Sequence, residues 1–111
     1  MKAPKSDRPV RGSRTGRPVM ALLDLLGRRM TLRVLWELSR SGGPLTFRAL
    51  ERAADTNPAL LNTRLKELRA ARLVIHDGEG YSLSQEGQAL LRLLLPLGKW
   101  ADRWAAQPKR S

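Results

Sequence analysis

A mainly helical chain with one small β-hairpin is the fold class this sequence predicts, on three observations. Apolar residues recur at helical spacing in several short segments. Thr46, Asn57 and Ser84 each stand where a helix-capping residue would open such a segment. Two short β-rich runs, "LVIH" and "YSLS", flank "DGEG" late in the chain and read as a hairpin.

The elements follow in order. "MKAPKSDRPVRGSRTGR" is rich in Pro, Gly, Ser and Arg. It has too little apolar surface to offset the entropy of ordering, which predicts a disordered basic tail over residues 1–17. Residues 18–106 form the folded domain, and 107–111 a second tail. "RPVMALLDLLG" is a short apolar helix with Gly27 at its C-terminal cap. Thr31 is placed to cap "LRVLWELSRS", whose inward stripe is Val34, Leu35 and Leu38, with Trp36 also assigned to the core. Gly42, Gly43 and Pro44 stop that helix, and "PLT" has room for one edge strand. Thr46 caps "FRALERAA", with Phe47 and Leu50 pointing inward. "DTNP" is a tight break. Asn57 then caps a helix reaching about residue 71, with Pro58 at the first helical position, where its missing N–H costs nothing. Ser84 caps "QEGQALLRLLLPLGKWADRW", which Pro96 must kink or restart.

A helix–turn–helix followed by a two-stranded hairpin is the winged helix-turn-helix arrangement, and the helix opened by Asn57 takes the place of its recognition helix. At ~100° per residue, Leu61, Leu65 and Leu68 lie within a ~60° stripe. Ala59, Asn62, Thr63 and Lys66 cluster opposite, on a face that is small, neutral or basic. Such a face can enter a major groove without repelling phosphates. Asn and Thr exchange hydrogen bonds with base edges, Ala59 allows contact with a thymine methyl, and Arg64 suits a guanine edge or a phosphate. The start of the helix also offers N–H groups to a phosphate. Leu60 on this helix and Arg48 on the one before complete the candidate DNA-contacting set with Asn57. An ordinary amphipathic helix with a solvated face is the alternative, and the tight turn, the hairpin and the charge all count against it.

The charge is strongly basic. Lys and Arg number 21 against 10 Asp and Glu, a formal +11. Residues 1–17 hold six basic residues and one acid, so the tail carries +5 and the remainder +6. A basic tail on a basic body favours a polyanionic partner, here double-stranded DNA, with a solubilising surface as the alternative.

"RPVMALLDLLGRRMTLRVLWEL", "GPLTFRALERA", "LNTRLKELRAARLV" and "YSLSQEGQALLRLLLPLGKWAD" resemble, in order, the HxlR-type winged helix-turn-helix transcriptional regulators over roughly residues 17–105. The resemblance implies a prokaryotic, dimeric DNA-binding repressor or activator whose recognition helix contains Asn57, Ala59, Asn62, Thr63 and Arg64. Members of that family often carry a cysteine before the first helix, used in some for redox or electrophile sensing. This chain has no cysteine. It also has Met30 where a tryptophan is usual, and its wing is short, with Asp77 and Glu79 at the tip. Two carboxylates repel a phosphate backbone, so the basic tail is the candidate to take over the wing's role on DNA.

The remaining signals are mostly exclusions. No apolar run approaches the ~20 residues of a membrane helix, so no membrane is expected as partner. His76 is the only histidine and reads as a solvated strand residue, not a metal ligand. No phosphate-cradling glycine loop and no nucleophile with a placed base is readable, so no enzyme activity and no cofactor are expected. A cytoplasmic, nucleoid-associated protein fits, with no effector indicated.

The apolar residues of the first and last helices exceed what one core can cover. That predicts a homodimer through Val19, Met20, Leu23, Leu94, Leu97, Trp100 and Trp104. Two other readings stay open: a sequence-indifferent nucleic-acid-binding architectural protein, and a winged helix used as a protein-interaction module.

Overall fold

The computed structural model describes residues 17–108. Both predicted tails lie outside them, apart from Arg17 at the start and Gln107 and Pro108 at the end. Six helices and one hairpin follow in the order α1 (Pro18–Leu26), α2 (Thr31–Arg40), α3 (Phe47–Ala54), α4 (Pro58–Ala70), β1 (Val74–Asp77), β2 (Gly80–Leu83), α5 (Gln85–Leu94) and α6 (Leu97–Ala106). This is the winged helix-turn-helix order.

Capping chemistry sets most of these boundaries. The Thr46 side chain accepts from the Ala49 N–H, Asn57 from Leu60, and Ser84 from Gly87. Each satisfies an N–H that the first helical turn leaves unpaired. Pro58 opens α4. Pro96 breaks the last apolar stretch, so α5 ends at Leu94 and α6 restarts at Leu97.

Thr31 departs from its expected role. Met30, left-handed at φ 78°, is the N-cap residue, and Thr31 is the first residue of α2. The turn closes with the Thr31 N–H donating to the Arg28 carbonyl at 3.1 Å. The threonine side chain is thereby fully buried, and its Oγ1 has no hydrogen-bond partner among the described residues.

The core is a leucine cluster. Val34 and Leu35 of α2, Leu50 of α3, and Leu61, Leu65 and Leu68 of α4 are buried together with Val74, Tyr81, Leu83 and Leu91. All three leucines of the α4 stripe are therefore inward, as their spacing predicts. Trp36 is not core. It stands off the α2 stripe, half-exposed, with the Arg40 guanidinium 5.8 Å from its ring centroid.

The hairpin pairs Val74 with Leu83, Ile75 with Ser82, His76 with Tyr81 and Asp77 with Gly80. Both strands are thus shifted by one residue towards the turn relative to "LVIH" and "YSLS", leaving Leu73 and Ser84 outside and a turn of Gly78 and Glu79. Two local features allow this. Asp77 Oδ1 accepts from the Glu79 N–H at 2.8 Å, tying the turn to its own side chain. Gly80 adopts φ 133°, open in practice to glycine alone, and a Cβ there would lie 2.5 Å from the Leu45 carbonyl oxygen. The "PLT" segment contributes a single bridging residue, Leu45, which exchanges both backbone bonds with Tyr81.

Candidate nucleic-acid interface

Buried side chains, a left-handed turn and a backbone brace position the α3–α4 unit. Leu50 and Ala54 bury α3, and Asp55 turns the chain in the left-handed region at φ 54°. Asp tolerates that conformation better than most non-glycine residues. Arg33 of α2 donates from Nη2 to the Ala53 carbonyl at 2.9 Å, bracing the end of α3.

From this base α4 presents its outer face. Ala59, Asn62, Thr63 and Lys66 are exposed, opposite the buried leucines. Asn62 and Lys66 make no hydrogen bond or ion pair with the described residues, so their polar ends are available to a ligand. The Thr63 hydroxyl donates to the Ala59 carbonyl at 3.1 Å and keeps its acceptor capacity. No acidic residue occupies the first turn of α4. That leaves the positive end of the helix uncancelled. Arg69, exposed beside Asn62 on the helical wheel, adds a cation to this side.

Three of the sequence candidates sit differently from the rest. The Asn57 side chain is engaged as a cap, through Oδ1 to the Leu60 N–H at 2.8 Å, and only its amide NH2 remains for a partner. Leu60 is half-buried on the flank of α4. Arg64 is turned from the presented face. Its Nε donates to the Arg29 carbonyl at 2.7 Å, and its Nη1 meets Glu67 Oε1 at 3.1 Å, with only 14% of the side chain exposed. The sequence reading takes Arg64, on the flank of the leucine stripe, as a base or phosphate contact; the structure finds the side chain already engaged. Its ~240° position on the wheel, against ~140° for Thr63, brings it towards the α1–α2 turn, where a backbone acceptor and a carboxylate satisfy it. Arg48 is exposed and lines a shallow hollow of about 300 Å³ with Arg52 and Thr56, beside Glu51 and Asp55.

Glu67 and Arg28 are functional candidates the sequence reading missed. Arg28 Nη2 meets Asp24 at 2.8 Å and its Nη1 meets Glu67 Oε2 at 3.0 Å. The hydrogen bond to Asp24 raises the Arg28 pKa; partial burial opposes this, and the charges of Glu67 and Asp24 reinforce it. The Arg64–Glu67 spacing of three residues was a readable signal for one half of this cluster. The Arg28–Glu67 half requires the tertiary fold.

At the wing, Asp77 and Glu79 are exposed at the tip, and no Lys or Arg stands within the hairpin. His76 is exposed and stacks on its cross-strand partner Tyr81, ring centroids 3.9 Å apart and 3° between planes. Val19, Met20 and Leu23 of α1 and Leu97, Trp100 and Trp104 of α6 are exposed, and Leu94 is half-buried. No residue of α6 is buried. Trp100 and Trp104 stack on each other at 5.9 Å. No helix among the described residues is long and apolar enough to cross a membrane.

Known proteins share this arrangement. The chain is 28% identical over 90 residues to an uncharacterized HTH-type transcriptional regulator of Methanocaldococcus jannaschii, covering 77% of this chain and 83% of that one. The quinone-bound structure of YodB from B. subtilis superimposes with a TM-score of 0.71 at 27% identity, over 77% of this chain and 96% of YodB. The diamide-treated form of YodB gives 0.58 at 27% identity, over 83% and 97%. The family model described as HxlR-like helix-turn-helix matches residues 25–109. Its members are transcriptional regulators that act by binding DNA and are not enzymes, and this chain belongs to that HxlR-like helix-turn-helix family.

Proposed function

We propose that this DNA-binding regulator works as a two-fold homodimer that reads an operator by laying α4 in the major groove of each half-site. One observation carries the reading. The outer face of α4 is exposed and free of acid at Ala59, Asn62, Thr63 and Lys66, while its leucine stripe is buried. The unburied apolar faces of α1 and α6 support the dimer, with Val19, Met20, Leu23, Leu94, Leu97, Trp100 and Trp104 as the contact. Exposed apolar surface of this extent, on the first and last helices, marks an association surface. A two-fold axis there would set the recognition helices about one DNA turn apart, ~34 Å. The protein would then work where the genome is, in the cytoplasm.

Arg48, Arg52 and Arg69 are placed in this reading as phosphate-binding groups, which fix register without reading sequence. The acidic wing tip is not. The tail, with its +5, takes that role by reaching along the backbone or minor groove. A quinone-bound form is described for YodB. This chain has no cysteine, so it cannot sense an electrophile by forming a thiol adduct.

Selection of bound fragments from the source genome, followed by competition with scrambled DNA, tests the proposal. A regulator should prefer its selected site by ~10³-fold or more. Equal binding to scrambled DNA would make the protein a sequence-indifferent packer. Weak binding to both would make the winged helix a protein-interaction module.

A further inference from the structure

We infer that Arg28, Glu67 and Arg64 form a clasp that sets the orientation of the recognition helix relative to the dimer-forming first helix. The inference rests on the dimeric reading above. Asp24 on α1 holds Arg28 Nη2 at 2.8 Å, and Arg28 Nη1 crosses to Glu67 Oε2 on α4 at 3.0 Å. The other oxygen of Glu67 holds Arg64 at 3.1 Å, and Arg64 Nε returns to the carbonyl of Arg29 at 2.7 Å. Arg28 and Arg29 are neighbours, so the circuit is closed: two points of the α1–α2 turn are tied to two points one turn apart on α4.

Two features separate this circuit from ordinary surface pairing. Three of the four ion pairs among the described residues belong to it. All four side chains are partly sheltered, from 14% exposed for Arg64 to 36% for Asp24. Each oxygen of Glu67 has its own guanidinium, so the carboxylate plane is fixed as well as its distance.

The placement gives the clasp its role. The leucine stripe already fixes how deeply α4 sits. Arg64 and Glu67 lie on one flank of that stripe, where a tie resists roll and tilt of the helix. The outer face carrying Asn62, Thr63 and Lys66 turns with any such roll. Base readout tolerates little misplacement, since a functional constellation needs its groups held to roughly 10–20°. Partly exposed pairs contribute little stability. Their closed geometry therefore matters more for orientation than for holding the fold together. In the dimer, α1 carries the interface with the second copy, so the clasp connects the two-fold axis to each recognition helix. Arg28, Glu67 and Arg64 are positioning residues in this scheme, and none of them touches a base.

The absence of cysteine permits a direct test. Ala70→Cys, at the exposed end of α4, gives each protomer one site for a spin label. The distance distribution between the two labels of a dimer, measured without DNA, reports how tightly α4 is oriented. With the clasp intact the distribution should be narrow. Glu67→Gln and, separately, Arg28→Met should each broaden it about two-fold, the order expected once the supporting bonds are removed, while the melting temperature stays within about 5 °C. Unchanged widths in both folded variants would overturn the clasp. No dipolar coupling in any sample, at concentrations where the protein should be associated, would instead defeat the dimeric reading on which the clasp rests.

Discussion

Arg64 reaches across 35 positions of sequence to donate from its Nε to the backbone carbonyl of Arg29 at 2.7 Å. A residue whose helical position invites a guanine contact is thus held against the α1–α2 turn, with Glu67 as its second partner. Arg64→Ala should lower stability by about 1–2 kcal/mol, because a side-chain hydrogen bond and a sheltered ion pair go together. The base preferred at each position should stay the same, while the margin over random DNA should shrink as α4 loosens. Thermal denaturation and a binding-site selection on the variant check both points. An altered preference at one base position with an unchanged melting temperature would return Arg64 to the DNA face.

Asn62 and Lys66 should behave differently from Arg64 and from each other. Asn62→Ala should weaken operator binding by ~1–3 kcal/mol and relax the preference at one base position. Lys66→Ala should weaken operator and random DNA alike, as expected for a group that binds phosphate. Titrations of both variants on selected and scrambled duplexes distinguish the two patterns. Equal losses on both duplexes for Asn62→Ala would show that it reads no base.

Thr31 offers a test on stability. Its hydroxyl is buried with no hydrogen-bond partner among the described residues, an arrangement that costs roughly 1–3 kcal/mol of desolvation. Thr31→Val keeps the shape and removes the polar atom, so it should be neutral or stabilising by up to about that amount. A loss of more than about 1 kcal/mol in chemical denaturation would mean that the hydroxyl finds a partner in solution.

Gly80 should not tolerate substitution. An added Cβ meets the Leu45 carbonyl oxygen at 2.5 Å, and φ 133° is strained for any other residue. Gly80→Ala should cost at least ~1–3 kcal/mol and disturb the Leu45–Tyr81 bridge. Gly78→Ala, in the same hairpin with open space around it, is the control and should cost much less. Equal losses at the two positions would contradict this account of the wing.

Much of the fold was legible because its signals are local. Thr46, Asn57 with Pro58, and Ser84 cap helices through atoms three residues away, so the chain announces those starts without tertiary help. The leucine stripe of α4 follows from spacing alone. The misreadings share the opposite property. Thr31 has the right chemistry for a cap, but the left-handed turn at Met30 carries it into the core. Trp36 is large and apolar, yet its place on α2 lies off the buried stripe, and hydrophobicity alone does not say which face is inward. The turn shortened because Asp77 and Gly80 pair across the hairpin, a matter of register that composition does not fix. On the outer face of α4, Ala59, Asn62, Thr63 and Lys66 are exposed as periodicity suggests. Arg64, on the flank of the leucine stripe, takes a partner whose nearness depends on the whole fold.

The basic tail makes a further prediction. Removing residues 1–17 should leave the melting temperature nearly unchanged, since nothing in that segment is apolar enough to join a core. The dependence of DNA affinity on salt should flatten by up to ~0.9 log-log units for each phosphate that the tail no longer neutralises. Binding titrations at several salt concentrations measure that slope. An unchanged slope would leave the tail no part in binding DNA.

Hydroxyl-radical footprinting on the selected operator tests the central claim most directly, because it reads dimer and groove geometry together. The account predicts two protected patches on one face of the duplex, centred about one helical turn apart, ~34 Å. Both should appear at the same protein concentration and saturate at two chains per site. A single patch saturating at one chain per site, or uniform protection along the duplex, would contradict a dimer that places one α4 in each half-site.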